Sequence, residues 1–409
     1  MNKKLSMAVA GAVMAFGASA ANAGITIPAG DWTIDIGGNV NSYYTHTSYD
    51  GVLDTAAGPG SEDSQSISTG LLPAALGVGG KTRQNDLDIA FQFTFFTGTD
   101  STGANLGAQG GSANVYGQNG ADSNSLNIRQ AYMTFGDKSW GTIKMGRDLG
   151  IFGSDAILSD MTLLGVGTGA GGGGNSTLGR IGSGYLYADW VGQISYTSPN
   201  WNGFSFAVGL RQPWGQSDNE SLGYDGKVSY EWAGDYAGKV WAGFIRQNDV
   251  DQPFVTVSPN PAGVEEDAHA WEIGGKINLA GFGLVGYYYD GKGMGGNVVA
   301  SGNLPTSGLG VNNSDQDVDG GYVQATYALP GIGTKLGASW GISKVDDSGL
   351  GAGTDEFENE SWIIGAYHPL TKSLNLVAEY TDTEYENIGN VAGVDGEAKT
   401  IALGAILFF

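Results

Sequence analysis

From residue 86 to residue 96 the side chains change character at every step. Leu87, Ile89, Phe91, Phe93 and Phe95 alternate with Asp86, Asp88, Ala90, Gln92 and Thr94. A period of two belongs to an extended strand, whose successive side chains point to opposite faces. One face suits lipid and the other suits water. The pattern recurs in Phe204, Phe206, Val208 and Leu210 against Ser205, Ala207, Gly209 and Arg211. It recurs again in Trp271, Ile273 and Ile277 against Glu272, Lys276 and Asn278. At the far end Ile401, Leu403, Ala405, Leu407 and Phe409 share one face. Similar strands are expected at 32–46, 124–135, 140–148, 190–198, 223–232, 236–247, 282–291, 319–329, 333–345, 358–367 and 372–385. The second strand, Ser66 to Val78, stays open, because Pro73 cannot donate to a central ladder.

The connections alternate in length. Gly136–Ser139, Pro199–Asn202, Ala233–Asp235, Pro330–Ile332 and His368–Thr371 are tight. Thr47–Gln65, Gly98–Ser123, Gln212–Leu222, Asn248–Asp267, Lys292–Val318 and Asp346–Phe357 are long and polar. Short turns at one end and long loops at the other mark a membrane barrel of about 16 antiparallel strands, an even number as bacterial barrels require. No run reaches about 20 continuous apolar residues, so helices do not span a bilayer here. A bilayer forbids unpaired backbone groups, so a sheet of this kind must close on itself. At this size it encloses water. Trp32, Trp140, Trp201, Trp232 and Tyr287 to Tyr289 are expected in the interfacial girdles.

One stretch breaks the pattern. Residues 149–189 lie between two strands and carry no strand pattern. Loops this long are uncommon unless they have a task or are disordered. Ser154 or Asp155 could cap one short helical turn before Ala156-Ile157-Leu158. The expectation is a loop folded inward to narrow the pore.

Lys3 and Lys4, the apolar run Leu5–Ala18 and the small-residue site Ala21-Asn22-Ala23 read as a secretory signal, residues 1–23, cleaved before Gly24. Residues 24–409 then form a single barrel domain. Losing Lys3 and Lys4 takes the 19 basic residues to 17 against 42 acidic ones, a formal charge of −25. So acidic a chain is a poor partner for nucleic acid, and its field should enrich cations at the mouths. Acids in the outer loops, such as Glu265-Glu-Asp267 and Asp346-Asp347, could also hold divalent ions that bridge lipopolysaccharide. Cysteine is absent, which removes disulfides, thiolate metal sites and thiol nucleophiles. His46, His269 and His368 lie far apart with no catalytic context. The glycine tract Gly169–Gly174 lacks the Lys-Ser/Thr of a phosphate loop. Asp315-Gln-Asp-Val-Asp-Gly320 begins like a calcium loop, but Thr326 stands where the closing Glu is needed. No cofactor, metal site or catalytic group is expected.

Ile128-Arg-Gln-Ala-Tyr-Met-Thr-Phe-Gly136 and Trp140-Gly-Thr-Ile-Lys-Met-Gly-Arg-Asp148 resemble the hairpin before the constriction loop of Gram-negative general porins. Gln193-Ile-Ser-Tyr-Thr-Ser-Pro-Asn-Trp-Asn-Gly-Phe204 resembles the strand and turn after it. The terminal Phe409 resembles the signal read by the barrel-assembly machinery. The resemblance implies an outer-membrane homotrimer of 16-stranded barrels, each with its third extracellular loop inside the pore. It also implies a transverse field, with acids on the loop and bases on the facing wall. Asp155 and Asp160 are then the loop acids. Arg129, Arg147 and, from a preceding turn, Arg83 are the basic candidates, with Arg180 either lining the mouth or solvating the loop. Alternation places Arg129 in the lumen with Asn127 and Ala131; it points Arg147 outward, so a bulge at Gly146 that turns it inward is expected, the alternative being an Arg at the headgroup level. The function implied is passive diffusion of small hydrophilic solutes and ions, cation-preferring. The alternatives are a substrate-specific channel for organic acid, sugar or phosphate, and a plugged barrel serving as adhesin or enzyme.

Overall fold

The computed structural model describes residues 24–51, 53, 63–99, 126–168, 176–213, 221–250, 266–294, 317–346, 356–386 and 395–409. The signal segment, the glycine tract and much of the long loops lie outside them. Eighteen strands form one antiparallel sheet. They are β1 Ile25–Ala29, β2 Trp32–Gly51, β3 Asp63–Ser68, β4 Ala74–Gln84, β5 Leu87–Thr97, β6 Asn127–Asp137, β7 Gly141–Leu149, β8 Trp190–Thr197 and β9 Phe204–Arg211. The second half comprises β10 Gly223–Trp232, β11 Gly238–Val250, β12 Glu266–Leu279, β13 Phe282–Lys292, β14 Asp317–Ala328, β15 Lys335–Val345, β16 Phe357–Pro369, β17 Leu374–Glu386 and β18 Gly396–Phe408.

Consecutive strands pair throughout, except that β3 and β4 both pair with β2, and β18 returns to β2, so the sheet closes. Two of the eighteen are continuations, which leaves a barrel of sixteen staves. The first continuation is β1, which pairs with Trp32–Ile36 of β2, while β18 pairs with Asn39–Gly51 on the same edge. Between them Gly38 and Phe409 exchange backbone bonds of 2.9 and 3.1 Å. The second is β3, which pairs with Tyr43–Ser48 of β2 above the segment held by β4.

The open question at Ser66–Val78 is settled by that break. The segment is not one strand. Residues 69–73 leave the wall between β3 and β4, and Thr69, Gly70, Leu71, Leu72 and Pro73 are all buried. Pro73 stands just before β4 begins, where its missing N–H removes no ladder bond. The stave thus has an inward kink that meets the long loop.

Inside and outside follow the period of two. Phe93, Phe204, Val208, Phe244, Ile273, Trp362 and Leu403 face out and are exposed, as a lipid-facing belt requires. Trp201, Trp140 and Tyr288 also lie on the outside. Tyr287 and Tyr289 do not join the girdle: flanking Tyr288 on its strand, they face inward and are 5% and 1% exposed. The acidic run at Asp317–Gly320 is the start of β14, a regular ladder against Lys292–Tyr289 rather than a calcium loop.

Candidate functional site

Residues 150–168 and 176–189 cross the bore. Their polar contacts give the path. The amides of Ile151 and Phe152 donate to Asp225 on β10, at 2.9 and 3.3 Å, and that of Gly153 donates to Glu272 on β12 at 3.0 Å. Tyr322 and Gln324 of β14 donate to the carbonyls of Ala156 and Ser159, at 2.8 and 3.0 Å. Val166 and Gly167 donate to Glu379 on β17, at 2.7 and 2.8 Å. Tyr43 of β2 donates to the Leu164 carbonyl at 2.6 Å. A segment that touches the inner faces of β10, β12, β14, β17 and β2 in turn lies inside the barrel.

The descent opens on a four-residue helix, α1 Ser154–Ile157. Neither Ser154 nor Asp155 caps it. The cap position is Gly153, at φ 75° with no side-chain bond, and both polar residues sit inside the first turn. A 3-10 turn, Met161–Leu164, follows, and here an acid does cap: Asp160 accepts from the Thr162 amide at 2.9 Å and from the Tyr185 hydroxyl at 2.8 Å. Phe152, Val166, Ile181, Tyr185 and Leu186 are 0–2% exposed. Phe152, Ile181, Tyr185 and Leu186 pack in a cluster with the inner-face aromatics Trp241, Tyr287, Tyr289 and Tyr322, and Val166 packs in a second one with Tyr43, Ile363 and Tyr367. Each such side chain contributes about 1.5–3 kcal/mol when fully buried, so the loop is a packed part of the wall. At the kink, the Leu71 amide donates to the Gly165 carbonyl and the Thr177 amide to the Gly70 carbonyl. A side chain at Gly165 has no room, since a Cβ there would stand 2.0 Å from Glu379 Oε1.

The structure sorts the expected charged residues. Asp155 is 5% exposed and faces two wall lysines: Lys227 at 2.8 Å, and Lys239 from the next strand. Burial alone would raise the Asp155 carboxyl, but the two ammoniums outweigh it and hold it below the usual carboxylate range. The sign follows. A depressed carboxyl stabilises the fold above its unfolded pKa, and the contribution is lost only as pH falls through the folded value. The loop contact at Asp155 should therefore survive acidification through the ordinary carboxylate range. Melting of the protein against its Asp155→Asn variant checks this, with a difference that stays constant from neutral pH down to about 4 and shrinks only below it.

Asp160 accepts from its own loop and faces no wall base at ion-pair distance among the described residues. Arg180 neither lines an open mouth nor solvates the loop. It is fully buried, reaches Ser339 on β15 and Ser361 on β16, and bonds the Ser183 carbonyl at 3.1 Å. Arg129 is lumenal and 3% exposed, with its guanidinium 5.1 Å from the Phe96 ring centre. Its register differs from strict alternation. The ladder slips at Thr94/Phe95, so Arg129 is an inserted residue; Gln130 and Tyr132 follow it inward while Ala131 pairs with outward Phe93. The bulge expected at Gly146 is therefore not there: Gly146 and Arg147 pair in regular register with Tyr132 and Ala131. Arg147 stands opposite Ala131 and Gly192, yet its guanidinium lies within electrostatic reach of Arg129, Tyr187 and Asp189. Arg83 is elsewhere. It is half-exposed and paired with Asp88 at 2.8 Å and Asp137 at 3.0 Å, beside two tight turns at the end away from the loop.

Of the wall anchors alternation marks only Glu272, on the polar face of its strand; Asp225, Lys227, Lys239 and Glu379 are not singled out by the sequence. A charge on the inner face of an apolar strand was the available signal. A cavity of about 30 Å³ remains beside Arg129, lined by Leu71, Leu72, Phe96, Leu158, Leu163 and Trp190 among others.

The Gram-negative porin family profile matches residues 8–388. The chain belongs to that family. The porin's outer-membrane location and its strand-spanning barrel follow from the family and the closed sheet together. Among solved structures it is similar to OmpF of Salmonella typhi, at 17% identity and a TM-score of 0.60, covering 94% of this chain and 100% of that one. It is also similar to the outer-membrane channel DcaP of Acinetobacter baumannii, at 14% identity and 0.59, covering 95% and 100%. The trimer form of OmpT, an outer membrane protein of Vibrio cholerae, aligns at 15% identity and 0.54, covering 92% and 99%. At these identities the likeness is one of fold. No curated protein sequence matches the chain.

Proposed function

We propose that this porin is a passive channel for small hydrophilic solutes and ions, works as a homotrimer and has no enzymatic activity. Residues 1–23 act as the cleaved signal and 24–409 as the mature barrel, with 149–189 as its constriction. The observation that carries the reading is the loop clasped inside a closed barrel, where it narrows the path through the bore. The trimer form of the Vibrio cholerae relative supports the assembly. Lipopolysaccharide around the barrel and the assembly machinery acting on Phe409 complete the expected partners.

Planar-bilayer recording tests it. The expected result is ohmic conductance that rises in steps of three; no conductance from folded protein would contradict it. Cation preference should come from the acidic outer mouth together with Asp155, which offsets the two wall lysines inside. It should then fade as salt rises, since the Debye length falls from about 30 Å at 0.01 M to about 3 Å at 1 M. Reversal potentials at the two ionic strengths check this.

A substrate-specific channel is the second reading. The tight packing of the loop against wall aromatics favours it, because a narrow path selects. Saturable block of the current by one solute class would separate it from the first.

A further inference from the structure

We propose that the cavity where the kink, the loop and the wall meet is a binding notch for the short alkyl group of a small uncharged or zwitterionic solute. This deepens the second of the two channel readings and rests on it.

The kink contributes Leu71, Leu72 and Pro73 to the notch, and the loop contributes Ile157, Leu158 and Leu163. The Phe96 ring closes it on the wall side. None of these side chains carries a polar atom. The polar side chains of the lining are Arg129, Tyr187 and Trp190, and each is engaged. The Arg129 guanidinium lies over the Phe96 ring and beside Tyr187 and Asp189. The Trp190 indole hydrogen-bonds Tyr187. A buried water needs two to four polar partners, which this lining does not offer. Apolar cavities stay dry and take up apolar guests instead.

The size of the void narrows the guest. A volume of about 30 Å³ is that of about two water-sized groups, which matches the pair of methyls in an isopropyl group. Protein interiors leave few voids larger than a water molecule, because the lining forfeits contacts around each one. This one is not sealed. Leu158 is half-buried and belongs to the segment that crosses the bore, so a solute in the bore reaches the notch over it. A guest there touches kink and loop together, and so reinforces the bond from the Leu71 amide to the Gly165 carbonyl at 2.8 Å.

A methyl gains from such a surface, whereas a hydroxyl of the same size loses its water and finds no partner. Valine and threonine are the matched probes: both are zwitterions of one shape, and they differ by a methyl for a hydroxyl. A fully enclosing apolar pocket separates the two by roughly a hundredfold. A notch open on one side should separate them at least about fivefold.

The test adds each amino acid in turn to the protein in planar bilayers at constant salt. The half-blocking concentration should be at least about fivefold lower for valine than for threonine. Leu158→Phe, which fills the opening, should abolish the difference, and Leu158→Asn, which makes the rim polar, should reduce it. Saturation-transfer NMR on the protein in nanodiscs reads binding without conduction. A silent channel that still transfers saturation to the valine methyls, and less to the threonine methyl, would end the channel reading and support the notch. Equal half-blocking concentrations, no binding of valine, or a preference kept in both Leu158 variants would overturn the proposal.

Discussion

Glu379→Ala should loosen the constriction more than any other single change in the bore. The carboxylate accepts from the Val166 and Gly167 amides and from the Tyr367 hydroxyl at 2.6 Å, and it is 4% exposed. Its removal leaves two loop amides and a phenol without an acceptor in a buried place. Hydrogen bonds to charged groups contribute about 1.5–3 kcal/mol each, and unpaired buried partners add to the loss, so a destabilisation of about 3 kcal/mol or more is expected. The melting midpoint in detergent should fall by several degrees. Single-channel traces should gain rapid closures, since the released segment can wander across the bore. A melting point and noise spectrum equal to the native protein's would show that Glu379 does not hold the loop.

Asp155→Asn should change selectivity more than it changes conductance. It removes the one acid that Lys227 and Lys239 share, and leaves the shape intact. A unit charge about 5 Å away in water is worth about 0.8 kcal/mol, or roughly a fourfold change in local counter-ion occupancy. At low salt the cation-over-anion permeability ratio should therefore fall about fourfold. Reversal potentials in a salt gradient measure it. An unchanged ratio would place the selectivity wholly at the outer mouth.

The barrel was legible because its signal is repeated many times over. Each alternating strand, such as Leu87–Phe95 or Phe204–Leu210, specifies which face meets lipid, and closure follows from the bilayer's demand on backbone groups. The alternation fails where backbone pairing, rather than side-chain polarity, decides. Arg129 is an inserted residue, and an insertion shifts phase without leaving a mark in composition. Residues 69–73 read as part of a strand because Leu71 and Leu72 are apolar; they are buried against the loop instead of facing lipid. Tyr287 and Tyr289 look like girdle residues for the same reason. Polarity distinguishes wet from dry, and the loop makes part of the lumen dry.

The charged site was half legible. Asp155 bonds lysines from distant strands, which only the register of β10 and β11 brings together. Arg180 and Asp160 bond their surroundings in place of facing open water, and Arg83 belongs to the turns. Of the wall carboxylates that clasp loop amides only Glu272 stands out in the sequence, as a polar-face residue, and its role does not, because backbone donors carry no sequence signal.

The central claim is that the loop is fixed inside a conducting bore. Ser183 of the loop and Ser361 of β16 have hydroxyls 3.1 Å apart, and the chain has no cysteine of its own. The double variant Ser183→Cys with Ser361→Cys should form a disulfide on mild oxidation in native membranes, and the cross-linked channel should still pass current in bilayers. Failure of the pair to cross-link, or a current abolished by the cross-link, would contradict a clasped loop beside an open path.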